Sequence, residues 1–185
     1  MAKFTKKAIM DCFLNMLKHK NIDKITVTDI CEQCGINRNT FYYYFSDIYD
    51  VLDNVLIEET EKNIDVIDNA SFYETYSKAA SVIIEYRAAV IHVYNSRNKE
   101  IIEKYLQNTT EYLVRLYVDR YSAGHNLTEG DRNYITSFYS YSIVGIVSRW
   151  IGEGMPPYDK DLIKRFSDSF DATIDTMIRQ CENND

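Results

Sequence analysis

From Asn37 to Phe45 the chain reads Asn-Arg-Asn-Thr-Phe-Tyr-Tyr-Tyr-Phe, a run with one guanidinium, two carboxamides, four hydroxyls and no carboxylate. Side chains of this kind hydrogen-bond to base edges and phosphates, and a surface free of negative charge can approach a polyanion. On a helical wheel that turns Phe41 and Phe45 inward, Asn39, Thr40 and Tyr43 point outward, flanked by Arg38 and Tyr42. This is the chemistry of reading a nucleic acid. Other chemistry has less to stand on. Cys31-x-x-Cys34 resembles half of a zinc or redox motif, but both cysteines complete the apolar stripe of a helix and no second Cys/His pair has suitable spacing. His19, His92 and His125 are isolated, and neither a Gly-rich phosphate loop nor a nucleophile elbow occurs. The expectation is a protein that is not an enzyme and uses no cofactor and no metal.

A helix that reads must be positioned by others. Thr26 and Asp29 fit a capping box, Val27, Ile30, Cys31 and Cys34 recur at helical spacing, and Gly35 stands where a left-handed cap belongs. Asn37 can cap the next helix. A short helix, a glycine turn and a second short helix form the arrangement that presents one helix to the major groove. Before it, Thr5 is placed to cap a first helix with Phe4 and Ile9 as a staple; Ile9, Cys12, Phe13, Met16 and Leu17 form its stripe, and it ends near Lys20. Asp47 and Asp50 open a fourth helix running past Leu52, Val55 and Leu56 towards Ile67.

Beyond it, Ser71 and Glu74 make a capping box for a helix to about Tyr86. A short segment spans Arg87–Tyr94 and a long one runs from about Asn98 to Tyr121. Residues 122–128 form a loop, Thr128 and Asp131 cap a helix to Ile151, residues 152–157 break it, and Asp159 opens the last. The fold class is all-α with about nine helices. A three-helix helix-turn-helix headpiece, residues 1–50, is joined by a long helix to a helical sensing and dimerisation body, residues 51–185. The last two long helices carry apolar faces, Ile135, Phe138, Ile146 and Trp150, then Leu162, Phe166, Phe170 and Ile174. Their extent suggests pairing with a second copy.

The run from Thr26 to Phe45 closely resembles the signature of the tetracycline-repressor (TetR) family, with spacing, glycine, threonine and aromatic run in order. The flanks Thr5–Lys20 and Ser46–Leu56 extend the likeness, and the segment from Gly145 to Gly154 around Trp150 resembles the family's body. The resemblance implies that Arg38, Asn39, Thr40, Tyr42, Tyr43 and Tyr44 belong to the recognition helix, and that Thr26 and Thr28 face phosphate. It also implies a dimer built from two helices of each protomer. Many members carry a phosphate-binding lysine after the aromatic run, where this chain reads Ser46-Asp47-Ile48-Tyr49. Lys6, Lys7 and Lys24 are candidates to compensate. Tyr76, Tyr86, His92, Tyr94, Tyr105, Tyr112 and Tyr139 lie on helices that surround the effector pocket in the family, and are candidates to touch a small-molecule effector.

Charge agrees with this division. Residues 1–50 hold seven Lys/Arg against six Asp/Glu, while residues 51–185 hold fourteen against twenty-two. A local patch, rather than net charge, decides DNA binding. No apolar stretch reaches the roughly 18 residues of a membrane span, and no signal peptide is apparent at Met1, so a reduced cytoplasmic protein is expected. The function expected is a homodimeric, effector-responsive repressor on a palindromic operator in double-stranded DNA. The alternatives are a co-regulator working through a protein partner and a sensor whose DNA contact is vestigial.

Overall fold

Helices form where breakers are absent and local caps satisfy the first amides. The computed structural model describes residues 2–64, 70–157 and 160–182. It contains α1 (Ala2–Leu17), α2 (Val27–Cys34), α3 (Arg38–Tyr44), α4 (Ile48–Ile64), α5 (Phe72–Glu85), α6 (Arg87–Tyr94), α7 (Glu100–Tyr121), α8 (Glu129–Gly152) and α9 (Lys160–Glu182). The described residues include no strand, so the architecture is all-α as the sequence implies. None of these helices is long and apolar enough to cross a membrane. Residues 65–67, towards which the fourth helix was expected to run, and Asp159, expected to open the last, lie outside the described residues.

Capping boxes close the starts of α2 at Thr26/Asp29 and α8 at Thr128/Asp131. At α5 the Ser71 amide donates to Glu74 Oε2 at 2.8 Å, and the Glu74 amide donates to Ser71 Oγ at 3.2 Å. The first helix departs from the expectation. It begins at Ala2, so Thr5 lies inside it rather than capping it, and Phe4, 83% exposed, forms no staple with Ile9. Nothing in the first residues breaks a helix, so it propagates through Thr5.

The chain divides into two compact units, Met1–Ile67 with Ile83–Ile102, and Asp68–Val82 with Glu103–Asp185. The sequence suggests a boundary at residue 50, whereas the first unit runs on through α4 and takes in α6. Its core is built from Ile9, Phe13 and Leu17 of α1, Ile30 of α2, Phe41 and Phe45, and Val51 of α4.

The second unit is organised around Phe170. Its ring stacks on Phe72 at 4.0 Å between centroids and takes edge contacts from Tyr139 at 4.7 Å, Tyr121 at 5.9 Å and Tyr117 at 6.1 Å. The Tyr117 hydroxyl is paired with Thr75 Oγ1 at 2.6 Å and lies 3.0 Å from the Ser71 carbonyl, which ties the start of α5 to α7. Ile135, Phe170 and Ile174, expected at the subunit interface, are fully buried in this core. The correction has a simple cause: a one-sided apolar stripe is covered by neighbouring helices of its own chain. Phe166 is half-buried and stacks on Phe72 at 5.9 Å, and Trp150 donates to the Pro156 carbonyl at 3.0 Å. Phe138, Ile146 and Leu162 remain exposed, at 51%, 37% and 44%.

Because Phe170 contacts four other rings, truncation leaves a cavity that small rearrangements cannot fill. Phe170→Ala is expected to cost about 3–5 kcal/mol of unfolding free energy, measured by urea denaturation followed by circular dichroism.

Candidate nucleic-acid interface

The turn before α3 depends on one backbone conformation. Gly35 sits at φ 66°, in the left-handed region that glycine adopts without a Cβ penalty, and the Ile36 amide reaches back to the Cys31 carbonyl at 3.0 Å. Asn37 then caps α3, its Oδ1 accepting from the Thr40 amide at 2.8 Å and the Thr40 hydroxyl at 3.1 Å. Phe41 and Phe45 are buried, at 0% and 1% exposure. With that face fixed, Arg38, Asn39, Tyr42 and Tyr43 are exposed, Tyr43 to 78%. Tyr44 is half-buried and meets Tyr43 edge-on at 4.9 Å. The structure therefore presents four of the six recognition-helix candidates to solvent. Thr40 and Tyr44 lie partly covered.

The start of α2 is shaped by its own carboxylate. Asp29 Oδ2 accepts from the Thr26 amide at 3.0 Å and from Lys20 Nζ at 3.0 Å, while the Asp29 amide donates to Thr26 Oγ1. The Lys20 hydrogen bond, then the Thr26 amide, hold the Asp29 carboxyl below its usual range. Thr28 is occupied from the neighbouring helix: Arg38 donates to Thr28 Oγ1 at 2.6 Å. Separation in sequence hides that pairing, since the residues lie ten apart on different helices.

Of the candidate cations, Lys24 is exposed. Lys6 donates to Asn54 Oδ1 at 2.9 Å and lies 5.7 Å from the centre of the Phe45 ring. Lys7 pairs with Glu58 at 2.9 Å, a bond that raises its pKa. At the start of α4, Asp47 Oδ1 accepts from the amides of Tyr49 at 2.8 Å and Asp50 at 2.9 Å, and Asp50 accepts from the Ser46 amide at 2.8 Å. The chain's own carboxylates thus occupy donors at the helix end beside the expected lysine position. Ile48 there is half-buried.

The thiols behind this surface are packing groups. Burial, then the neighbouring Cys12 thiol, push the Cys34 thiol up to about 12, which suppresses the reactive thiolate. Among the described residues no group of three His, Cys, Asp or Glu side chains is placed to hold a metal ion.

α6 and the start of α7 pack in the same unit. His92 Nδ1 lies 2.7 Å from the Leu17 carbonyl, Asn21 donates to the Asn95 carbonyl at 3.2 Å, the Arg97 amide to Asp23 at 3.1 Å and Asn98 to the Tyr49 hydroxyl at 2.6 Å. Tyr86 and Tyr94 belong here too: burial and the nearby Glu59 raise the Tyr86 pKa, and Lys99 lies 5.9 Å from the Tyr94 ring centre. Three of the seven effector candidates therefore sit in the first unit.

The other four are in the second. Tyr139 is paired with Thr173 Oγ1 at 2.7 Å, Tyr105 is half-buried and Tyr112 is 48% exposed. The Tyr76 ring lies 4.4 Å from Phe72, and its buried hydroxyl has no partner among the described residues. A cleft of about 310 Å³ lined by Asp131, Tyr134, Met177, Gln180 and Cys181 includes none of the seven.

Two family models match the chain. The one described as bacterial regulatory proteins, tetR family, covers residues 9–55, and a TetR model described as transcriptional regulator C-terminal region covers residues 71–172. The chain belongs to the TetR family of transcriptional regulators. A TetR-family regulator binds DNA and is not an enzyme. Among solved structures, the dihydroxyacetone kinase operon activator DhaS is similar, with a TM-score of 0.72 and 17% identity over 93% of this chain and 97% of that one. A protein from Syntrophomonas wolfei described as a TetR-family transcriptional regulator gives a TM-score of 0.58 and 17% identity over 95% and 97%. No curated protein matches. Both structural likenesses support the TetR fold.

The Asp29 carboxyl links this headpiece to pH. Its pKa is lowered in the folded state, so its contribution is present above the unfolded value of about 3.9 and is lost as pH falls through the folded one. The stability difference between the wild type and Asp29→Asn should therefore shrink as pH is lowered below about 3.9 in a series of urea denaturations.

Proposed function

We propose that this chain is a homodimeric, effector-responsive repressor that reads a palindromic operator through the outward face of α3. The observation that carries the reading is the face itself, where Arg38, Asn39, Tyr42 and Tyr43 are exposed and no carboxylate lies between residues 37 and 45. Asn39 pairs with an adenine edge, Tyr42 and Tyr43 contact the groove wall, and Thr26 and Lys24 contribute contacts to phosphate.

Two-fold pairing places two such helices about 34 Å apart, one helical repeat of the duplex. The second copy is supported by exposed side chains on α8, Tyr134, Phe138, Tyr141 and Ile146, and by Leu162 on α9. An effector is supported by the buried hydroxyls of Tyr76, Thr136 and Ser140, which have no partner among the described residues, because a buried polar group costs free energy until something pairs with it. Differential affinity for one arrangement of the dimer then shifts the population away from DNA.

The carboxylates at the start of α4 favour a second reading, in which regulation runs through a protein partner. Footprinting upstream of the chain's own gene separates the two: a protected palindrome supports direct repression, and bare DNA with a retained partner supports the alternative. A reporter placed behind the operator reads the sign, with expression falling when the chain is supplied.

Tyr43→Ala is expected to weaken operator binding about tenfold or more in a gel shift with helicity intact; unchanged affinity would remove Tyr43 from the interface. In sedimentation the wild type should run near 43 kDa, about twice the 21.7 kDa chain, and Phe138→Asp should shift it towards the monomer.

A further inference from the structure

We propose that Thr28 is a positioning residue that aims Arg38 at a guanine in each operator half-site. The inference rests on the reading of α3 as the DNA-facing helix and adds the base that it selects.

The polar side chains of the turn and of α3 are not equivalent. Asn37 Oδ1 is consumed by the cap, and the Thr40 hydroxyl is spent on the same oxygen. Arg38 is exposed in the first turn of α3, and its partner comes from another helix, through the 2.6 Å hydrogen bond to Thr28 Oγ1 on α2. The next residue on α2, Asp29, would draw a guanidinium towards itself. It is already engaged by Lys20 and the Thr26 amide, each at 3.0 Å. Among the described residues Arg38 makes no ion pair.

Base chemistry then selects the target. A guanidinium offers five donors and no acceptor, and one donor on Thr28 leaves a free fork. In the major groove guanine presents two adjacent acceptors, N7 and O6, whereas adenine, cytosine and thymine each present a donor, a lone acceptor or a methyl group. A donor-only fork therefore fits guanine. Thr28 supplies orientation, because a long side chain already held at one end loses less rotamer freedom when it meets the base. This differs from a phosphate contact, which would strengthen binding to every sequence alike.

The test begins with a duplex selected by the full-length wild type from a random library. Each guanine of the selected site is then replaced in turn by 7-deazaguanine, which lacks the N7 acceptor. One guanine per half-site should show a penalty of about tenfold with the wild type and none with Arg38→Ala. Thr28→Val should shrink that penalty several-fold, and Thr28→Ser should restore it. The proposal is overturned if no guanine is sensitive, if the penalty survives in Arg38→Ala, or if Thr28→Val leaves the penalty at its full size. Failure to select any duplex would instead remove the DNA-facing reading beneath it.

Discussion

A helix of seven residues is too short to persist on its own in water, where isolated helices need about 12–15 residues to be even marginal. α3 exists because Phe41 and Phe45 are pressed into the core of the first unit and because Asn37 supplies an acceptor to its first turn. Those two rings fix the rotation of the helix about its axis. Every outward side chain inherits its aim from them, and the left-handed Gly35 turn sets where the helix starts. The same rings are buried with Ile9, Phe13 and Leu17 of α1 and Val51 of α4, so the outward face of α3 and the core beneath it are one construction.

Around that core the electrostatics are restrained rather than strongly basic. Lys6, Lys7 and Lys20 each meet a partner on a neighbouring element, and Asp47 and Asp50 hold the amides at the start of α4. A headpiece arranged in this way has few mobile cations with which to release counterions from DNA. In the reading proposed for α3, a larger share of binding then comes from its hydrogen bonds, which are sensitive to sequence, than from charge, which is not.

The local features were legible in the sequence because a cap or a glycine turn is decided within a few residues. The boxes at Thr26, Ser71 and Thr128, the left-handed Gly35 and the segment Arg87–Tyr94 all follow from neighbours in the chain. Thr5 and Phe4 misled because a plausible cap does not stop a helix from propagating through it when nothing upstream breaks it. Ile135, Phe170 and Ile174 misled because an apolar stripe records that something covers it and not which chain does so. The pairing of Thr28 with Arg38 and the occupation of Lys6 by Asn54 join different helices. They became visible only once the packing was known.

The return of residues 83–102 to the first unit has a consequence for how the protein is made. His92, Asn95, Arg97 and Asn98 meet partners between 49 and 75 residues earlier in the chain. At translation rates of roughly 5–20 residues per second, the carbonyl of Leu17 is synthesised on the order of ten seconds before the histidine that meets it. The helix-turn-helix thus emerges from the ribosome lacking part of its support. Its nascent form must survive, or be sheltered, until α6 arrives, and a chain stalled before that point would expose the carbonyl end of α1 and the hydroxyl of Tyr49 to whatever else is present in the cell.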